Sequence, residues 1–376
     1  MPDLSCDVAI IGAGIIGTSI AWHLAKRGLS DVVVLDKGEA AGTGSTAKAA
    51  GGIRAQFSSD INIELSRLSI GEFERFPQEM GVEAVFNQVG YLWIATTAEH
   101  MKLFEANATV QRRHGLSIEL LDAAGVKARA PYVRTDDVVG GVFHAKDGYA
   151  SPADYVMGYH KKAREKGVRF LFGEEVRGRE PGALVTSSGR VAAKRVVVAA
   201  GAYSGKLGER LGVEIPVVPV RRQCFVTEPV EELPHPIPMT VDYGTGVYIH
   251  SESRGVLVGK AEKDEPAGFN EAADYGFVER VAPLAMDRVP VLERAQPKTV
   301  WAGLYEVTPD HHPVLGEAGD GMWVACGFSG HGVMHAPATG MLMAELLLGR
   351  KPPLDVSSLR LTRFREGKPI VETNVI

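Results

Sequence analysis

The chain has 376 residues, 45% hydrophobic and 23% charged. That balance excludes a disordered or fibrous protein, and the length favours two cores. Its 41 basic and 46 acidic side chains give a net charge of −5, which argues against a nucleic-acid binder.

Residues 7–11, Asp-Val-Ala-Ile-Ile, predict a buried parallel strand. It leads into Gly12-Ala13-Gly14-Ile15-Ile16-Gly17. A helix follows, with Ile16, Ile20 and Leu24 four apart, Lys26 and Arg27 in its last turn and Gly28 as its cap. A second strand over 31–35 ends at Asp36. Gly12 allows the tight turn, Gly14 lets a pyrophosphate approach the backbone, and Gly17 lets the helix pack on the strand. The helix start offers free N–H groups to phosphates, and Asp36 stands where a carboxylate accepts ribose hydroxyls. Glycines alone would be weak evidence; strand, turn, helix, strand and acid in this order predict a dinucleotide site. The apolar run 8–16 is not read as a secretion signal, because Asp3 and Asp7 precede it where a basic leader would stand.

A loop over 37–46 ends in Gly44-Ser45-Thr46, and a helix is expected from Ala47. The loop suits a second phosphate contact, as an extended cofactor needs, although taken alone it fits a plain Ser/Thr helix cap better. Ser151 and Pro152 open a helix that Gly167 closes, and a strand over 168–172 follows. Strands are expected at 183–186 and 190–192, around the turn Ser187-Ser188-Gly189. A further buried strand from 195 runs into Ala200 and Gly201 and can pass beneath a nucleotide. From Val217 the texture changes to short strands at 221–227, 246–250 and 255–259, which suits a separate substrate-domain sheet. A helix over 273–281 precedes 301–305, where the chain returns to the first domain.

Near the C-terminus a strand over 323–326 enters Gly327-Phe328-Ser329-Gly330-His331-Gly332, which opens a long helix ending near Gly349. A helix start aimed at a flavin would stabilise the negative charge that gathers at N1 and the C2 carbonyl on reduction. This loop and the strand from 195 tip the reading from NAD to FAD. The apolar run 341–348 contains Glu345 and is too short to span a bilayer, so no membrane segment is expected. Cys6, Cys224 and Cys326 are widely spaced, which argues against a disulfide framework or structural zinc and fits a reducing cytoplasm.

Together these residues resemble the D-amino-acid oxidase superfamily of FAD-dependent enzymes, which includes glycine oxidase, sarcosine oxidase and the flavin subunit of L-proline dehydrogenase. The resemblance rests on Gly12 to Gly17, Asp36, Gly44-Ser45-Thr46, Ser151-Pro152, 198–204, Tyr305-x-x-Thr308-Pro309-Asp310 and Gly327 to Gly332. It implies an α/β fold in which both domains are built from discontinuous segments. A Rossmann-like FAD-binding domain would take 1–85, 145–215 and 300–376, and an antiparallel-sheet substrate domain 86–144 and 216–299. It also implies the FAD contacts. From the first half of the chain come Gly12, Gly14, Ile15, Ile16, Gly17, Asp36, Lys37, Gly44, Ser45, Thr46, Gly51 and Gly52. Later segments add Val176 (where the family meets adenine through backbone atoms), Ala200, Gly201 and Gly303, then Gly327, Phe328, Ser329, Gly330, His331, Gly332, Val333 and Met334. Gly303 replaces the cysteine, and Lys48 the histidine, through which some relatives attach their flavin. Non-covalent FAD is therefore expected.

The implied reaction takes hydride from a carbon next to an amine to flavin N5, and water then hydrolyses the imine. The implied partners are a small amino-acid substrate and O₂ or another electron acceptor. Arg54 matches the register of a substrate-facing arginine in sarcosine-oxidase-like members. A guanidinium can bind a planar carboxylate with two N–H groups, although a structural arginine would read the same. Tyr248 is a second candidate and equally a packing residue. Tyr305 stands where glycine oxidase and D-amino-acid oxidase carry a carboxylate-binding arginine. That leans the reading toward secondary amines: sarcosine, N-alkyl or N-carboxymethyl amines, or proline.

His331 sits in the flavin loop, and His311 is a further candidate for lining the active site. Adjacent His311 and His312 point to opposite sides of an extended chain, so no shared metal is expected. Leu257 occupies the register of the lysine that activates O₂ in sarcosine oxidases, with Lys260 close by, so oxidase and dehydrogenase both stay open. The alternatives are a D-amino-acid dehydrogenase or oxidase, and the flavin subunit of a multi-chain electron-transfer dehydrogenase. A partner subunit or homo-oligomer stays open with the latter.

Overall fold

A computed structural model describes residues 4–374. The strand Leu4–Ile11 lies inside an eight-stranded sheet, with Val8, Ala9 and Ile10 wholly buried. It pairs in parallel with Val32–Asp36 on one side and Arg190–Val198 on the other, and Arg169–Phe172 continues the parallel order beyond Val32–Asp36. Because both faces are covered, these strands read as continuous apolar runs rather than alternating ones. The helix Ile15–Lys26 follows the first strand and packs against the helices Pro152–Glu165 and Gly332–Leu347. This is the Rossmann-like α/β unit the sequence predicts.

The strands expected separately at 190–192 and from 195 are one strand, Arg190–Val198. Its first half pairs antiparallel with Ala183–Thr186 and its second half parallel with Met322–Cys326. Lys194 interrupts the apolar pattern because it is turned outward, where its Nζ lies 2.6 Å from Asp7. The helix expected from Ala47 is instead a single 3₁₀ turn, Ser45–Lys48, followed by extended chain. Neither hydroxyl caps it: Thr46 Oγ1 accepts the Ile15 N–H at 3.1 Å, and Ser45 Oγ donates to the Leu304 carbonyl at 2.8 Å.

A second eight-stranded sheet holds, in order, Pro297–Val307, Val218–Thr227, Gly255–Lys260, Val247–Glu252, Met239–Asp242, Tyr91–Ala95, Gly140–His144 and Glu119–Leu121. Every neighbouring pair is antiparallel except Met239–Asp242 with Tyr91–Ala95. The helix expected over 273–281 is Gly276–Arg288 and packs on this sheet through Phe277, Val281 and Ala285. Asp274 accepts the Gly276 N–H at 2.9 Å, which sets the later start. No helix among the described residues is long and apolar enough to cross a membrane.

Candidate active site

A cavity of about 640 Å³ runs from the glycine turn at 12–17 to the strand Pro297–Val307 and the start of the helix Gly332–Leu347. One end is built from close backbone approaches. Gly12 has φ +113°, and a Cβ there would collide with the Ala199 carbonyl; a Cβ at Gly17 would collide with the Gly12 carbonyl. Gly14 keeps its space open, with Thr46 Oγ1 as the nearest group to a Cβ, at 3.3 Å. Asp36 ends its strand with both oxygens on backbone amides, Ala13 N at 2.6 Å and Gly38 N at 2.7 Å. A carboxylate offers about four lone-pair sites, so Asp36 is held rigid and can still accept hydroxyls. Nearby, Lys37 Nζ sits 3.2 Å above the centre of the Tyr203 ring.

The far end is the turn before the last long helix. Ser329 and Gly330 take positive φ, 49° and 97°, and a Cβ on Gly330 would run into the Tyr305 ring. Glu306 holds this turn: its Oε2 accepts the Gly327 N–H at 2.8 Å and its carbonyl accepts the Ser329 N–H at 3.1 Å. Burial pushes the Glu306 carboxyl up to about 7. His331 precedes the helix without capping it. It is buried, its Nδ1 lacks a partner, and it meets Phe57 edge-on at 4.8 Å. Burial, together with Arg54 and neighbouring histidines, holds its imidazole well below the ordinary pKa, so it is neutral. The helix start that follows, Gly332 to Met334, lines the cavity and brings a partial positive charge to it.

Between these ends lies a wall of phenols, arginines and a thiol. Arg54, Tyr248, Tyr305 and His331 all line the cavity. Arg54 is 2% exposed; one Nη donates to the Gln56 carbonyl and the other to the Asn374 carbonyl at 2.8 Å. Its guanidinium lies 3.9 Å from the Phe57 ring centre and 5.2 Å from that of Trp93. Among the described residues no carboxylate comes within 4.0 Å of it. Tyr248 hydroxyl meets Cys224 Sγ at 3.2 Å, and burial raises both groups above their ordinary pKa values.

Of the residues expected to hold FAD, Gly17, Gly327 and Phe328 do not line the cavity and the others do. Gly17 and Gly327 allow close packing behind it, against the Gly12 carbonyl and Thr308 side chain, and Phe328 is core. His311 lies outside the lining, and His312 is buried with Nε2 2.8 Å from Ser59 Oγ. Lys48 pairs with Glu271, and its Cβ would be 2.8 Å from a Cβ placed on Gly303.

Sequence reasoning missed several lining residues, among them Tyr91, Arg222, Cys224 and Glu306. Alternation within 221–227 would have put Arg222 and Cys224 on one face. Tyr91 had no such signal, because every residue of Tyr91–Ala95 is buried.

The cavity fits FAD on these grounds: a turn that side chains would fill, a carboxylate at the strand end, and a helix start at the opposite end. Comparison with known proteins agrees. A family model described as FAD dependent oxidoreductase (DAO) matches residues 7–346. Rat (Rattus norvegicus) mitochondrial dimethylglycine dehydrogenase is 30% identical over 385 residues, covering 95% of this chain and 45% of that protein. The chain thus spans less than half the length of that relative. Among solved structures, L-proline dehydrogenase from P. horikoshii is similar with a TM-score of 0.92 and 29% identity, covering 98% of this chain and 100% of its own. Glycine oxidase from Geobacillus kaustophilus gives 0.86 and 28%, covering 96% and 99%.

Proposed function

The chain belongs to the DAO family of FAD-dependent oxidoreductases, and from that premise we propose that it oxidises the C–N bond of a glycine-type amino acid, preferably a secondary amine. Sarcosine, other N-alkyl or N-carboxymethyl amines and proline make up the substrate class. FAD, bound non-covalently, supplies a two-electron acceptor for hydride. The net reaction turns R₂CH–NH–R′, water and an oxidised acceptor into R₂C=O, H₂N–R′ and the acceptor carrying two hydrogens. O₂ or another carrier is that final acceptor.

The observation that carries this reading is Arg54, a buried cation facing the cavity with no carboxylate within 4.0 Å of it among the described residues. Two carbonyls and two aromatic rings fix its plane, so a substrate carboxylate meets a preorganised donor. Tyr305 supports the preference for secondary amines, as it stands where an arginine would otherwise hold the carboxylate of a primary amino acid. Its ring fills the space beside Gly330. Tyr248 and Tyr91 close the apolar side of the site and keep their protons, because burial raises both hydroxyls. No group here has to act as a strong base: the amine reacts neutral, and alignment does most of the work. Three buried free thiols are consistent with a reducing, cytoplasmic setting.

The test is anaerobic bleaching of the bound flavin by glycine, sarcosine, longer N-alkyl glycines, L-proline and D-alanine. N-substituted glycines or proline are expected to bleach it at least about 10-fold faster than glycine or D-alanine. Bleaching by D-alanine alone would replace this reading with the D-amino-acid one. A chain that responds to none of them without added partner chains would favour the multi-subunit reading.

A further inference from the structure

A second cation faces the same cavity. Arg222 lies on Val218–Thr227 directly opposite Gly303 of the neighbouring strand. Because side chains alternate along a strand, Arg222, Cys224 and the strand-mate Tyr305 share one face. Gly303 puts no side chain between them. The Arg222 guanidinium comes to 5.4 Å from the centre of the Tyr305 ring.

Arg222 is under-partnered. Its Nη1 donates to the Arg221 carbonyl at 2.9 Å, and its Nε is buried with no partner. Among the described residues no carboxylate lies within 4.0 Å of it. The contrast with its neighbours is direct. Arg221 forks onto Glu265 at 2.8 and 3.1 Å, and Lys48 pairs with Glu271. Arg222 also stands beside Gly303 and Tyr305 rather than at the glycine turn, so a dinucleotide's phosphates do not account for it. Arg222 is half-buried, with its Nε enclosed, and a cation so placed pairs with an anion when one is supplied.

From this we infer that Arg222 is a specificity residue for a second carboxylate, so that the preferred substrate is a secondary amine carrying a carboxylate on each side of the nitrogen. This rests on the reading above and narrows it. Arg54 takes one carboxylate and Arg222 the other. Burial raises the Tyr305 hydroxyl, and both guanidiniums pull it down, which places both within electrostatic reach of the same phenol. Iminodiacetate is the simplest such molecule. Oxidation of one methylene with uptake of water gives glycine and glyoxylate, with two hydrogens passing to the acceptor.

The test uses the FAD-loaded protein and two thioether analogues that have no C–N bond to oxidise: thiodiacetate, with two carboxylates, and methylthioacetate, with one. Binding is read from the perturbation of the flavin spectrum. Thiodiacetate should bind at least about 10-fold tighter than methylthioacetate. Arg222→Gln should weaken thiodiacetate about 10- to 100-fold and methylthioacetate less than about 3-fold. Arg222→Lys, which keeps the charge, should recover part of the loss. Equal affinities in the unmodified protein, or an equal loss for both analogues in Arg222→Gln, would overturn the inference. So would loss of flavin from that variant, since Arg222 would then serve the cofactor. Bleaching by sarcosine and iminodiacetate is followed in parallel. If neither bleaches the flavin, the amine-oxidation reading itself fails; if both do so equally well, only the role of Arg222 fails.

Discussion

Arg363 holds Asp310 with two parallel N–H donors, Nε to Oδ2 and Nη2 to Oδ1, both at 2.9 Å, and each side chain is 1% exposed. Asp310 also accepts the Ile370 and His312 amides, and Arg363 also donates to the Leu359 and His312 carbonyls. The pair ties the segment after the last helix to the turn that follows the strand Pro297–Val307. Removing one partner leaves the other buried and uncompensated. Arg363→Met should therefore cost about 3–5 kcal/mol of stability, read by denaturant unfolding. Burial alone would raise the Asp310 carboxyl, but its hydrogen bonds from Arg363 and the amides outweigh that and hold it below its ordinary value of 3.8. The sign follows: its contribution is present above that value and fades as pH falls through the lower, folded-state value.

The glycine turn gives a graded test. Gly12→Ala puts a methyl into the Ala199 carbonyl at a backbone angle that side chains rarely adopt, whereas Gly14→Ala meets only Thr46 Oγ1, at 3.3 Å. Flavin absorbance per protein after gel filtration should fall at least about 10-fold in the first variant and clearly less in the second. Equal retention of FAD by both would contradict the packing described.

Arg54 offers a separation of substrate from cofactor. Arg54→Ala would strand the Asn374 carbonyl in a buried setting and leave the Gln56 carbonyl with Asn374 Nδ2 alone, so Arg54→Lys is the cleaner variant. A lysine keeps the charge but not the planar fork, and KM for the amine should rise about 10- to 100-fold with flavin content unchanged. An unaltered KM would mean that the carboxylate binds elsewhere.

Glu306 sets a pH dependence of stability. Its folded value of about 7 lies above the 4.5 of an ordinary glutamate, because burial outweighs its hydrogen bond from Gly327. Over that interval the unfolded chain releases a proton that the folded chain retains. Stability therefore declines as pH rises, and the full cost is reached above the folded value. Glu306→Gln removes the slope. Relative to the unmodified protein it should gain about 1–3 kcal/mol on going from about pH 5 to about pH 8. Parallel curves for the two proteins would refute the assignment.

What could be read in advance was what local spacing dictates. The turn at 12–17, Asp36 and the Gly327–Gly332 loop each carry their reason in neighbouring residues. Long-range pairing was not legible. Residues 190–198 read as two strands because Lys194 interrupts the apolar pattern, and nothing local shows that one strand serves two partners, Ala183–Thr186 and Met322–Cys326. A helix is expected from Ala47, with Ser45 and Thr46 at its start, because nothing nearby says that their hydroxyls bond Leu304 and Ile15. Arg222 was missed for a related reason. Its meaning comes from facing Gly303, about eighty residues later, and only the sheet register brings the two together.

The strand Leu4–Ile11 takes Arg190–Val198 as a neighbour, and that strand in turn takes Met322–Cys326. During synthesis the glycine turn at 12–17 leaves the ribosome before the Gly327–Gly332 loop, which follows more than three hundred residues later. No nascent fragment lacking that loop can close the far end of the cavity, so on the FAD reading proposed above full capture has to await that loop. A stall anywhere before the last long helix would leave an open half-site, with its apolar sheet face bare for chaperones to shelter.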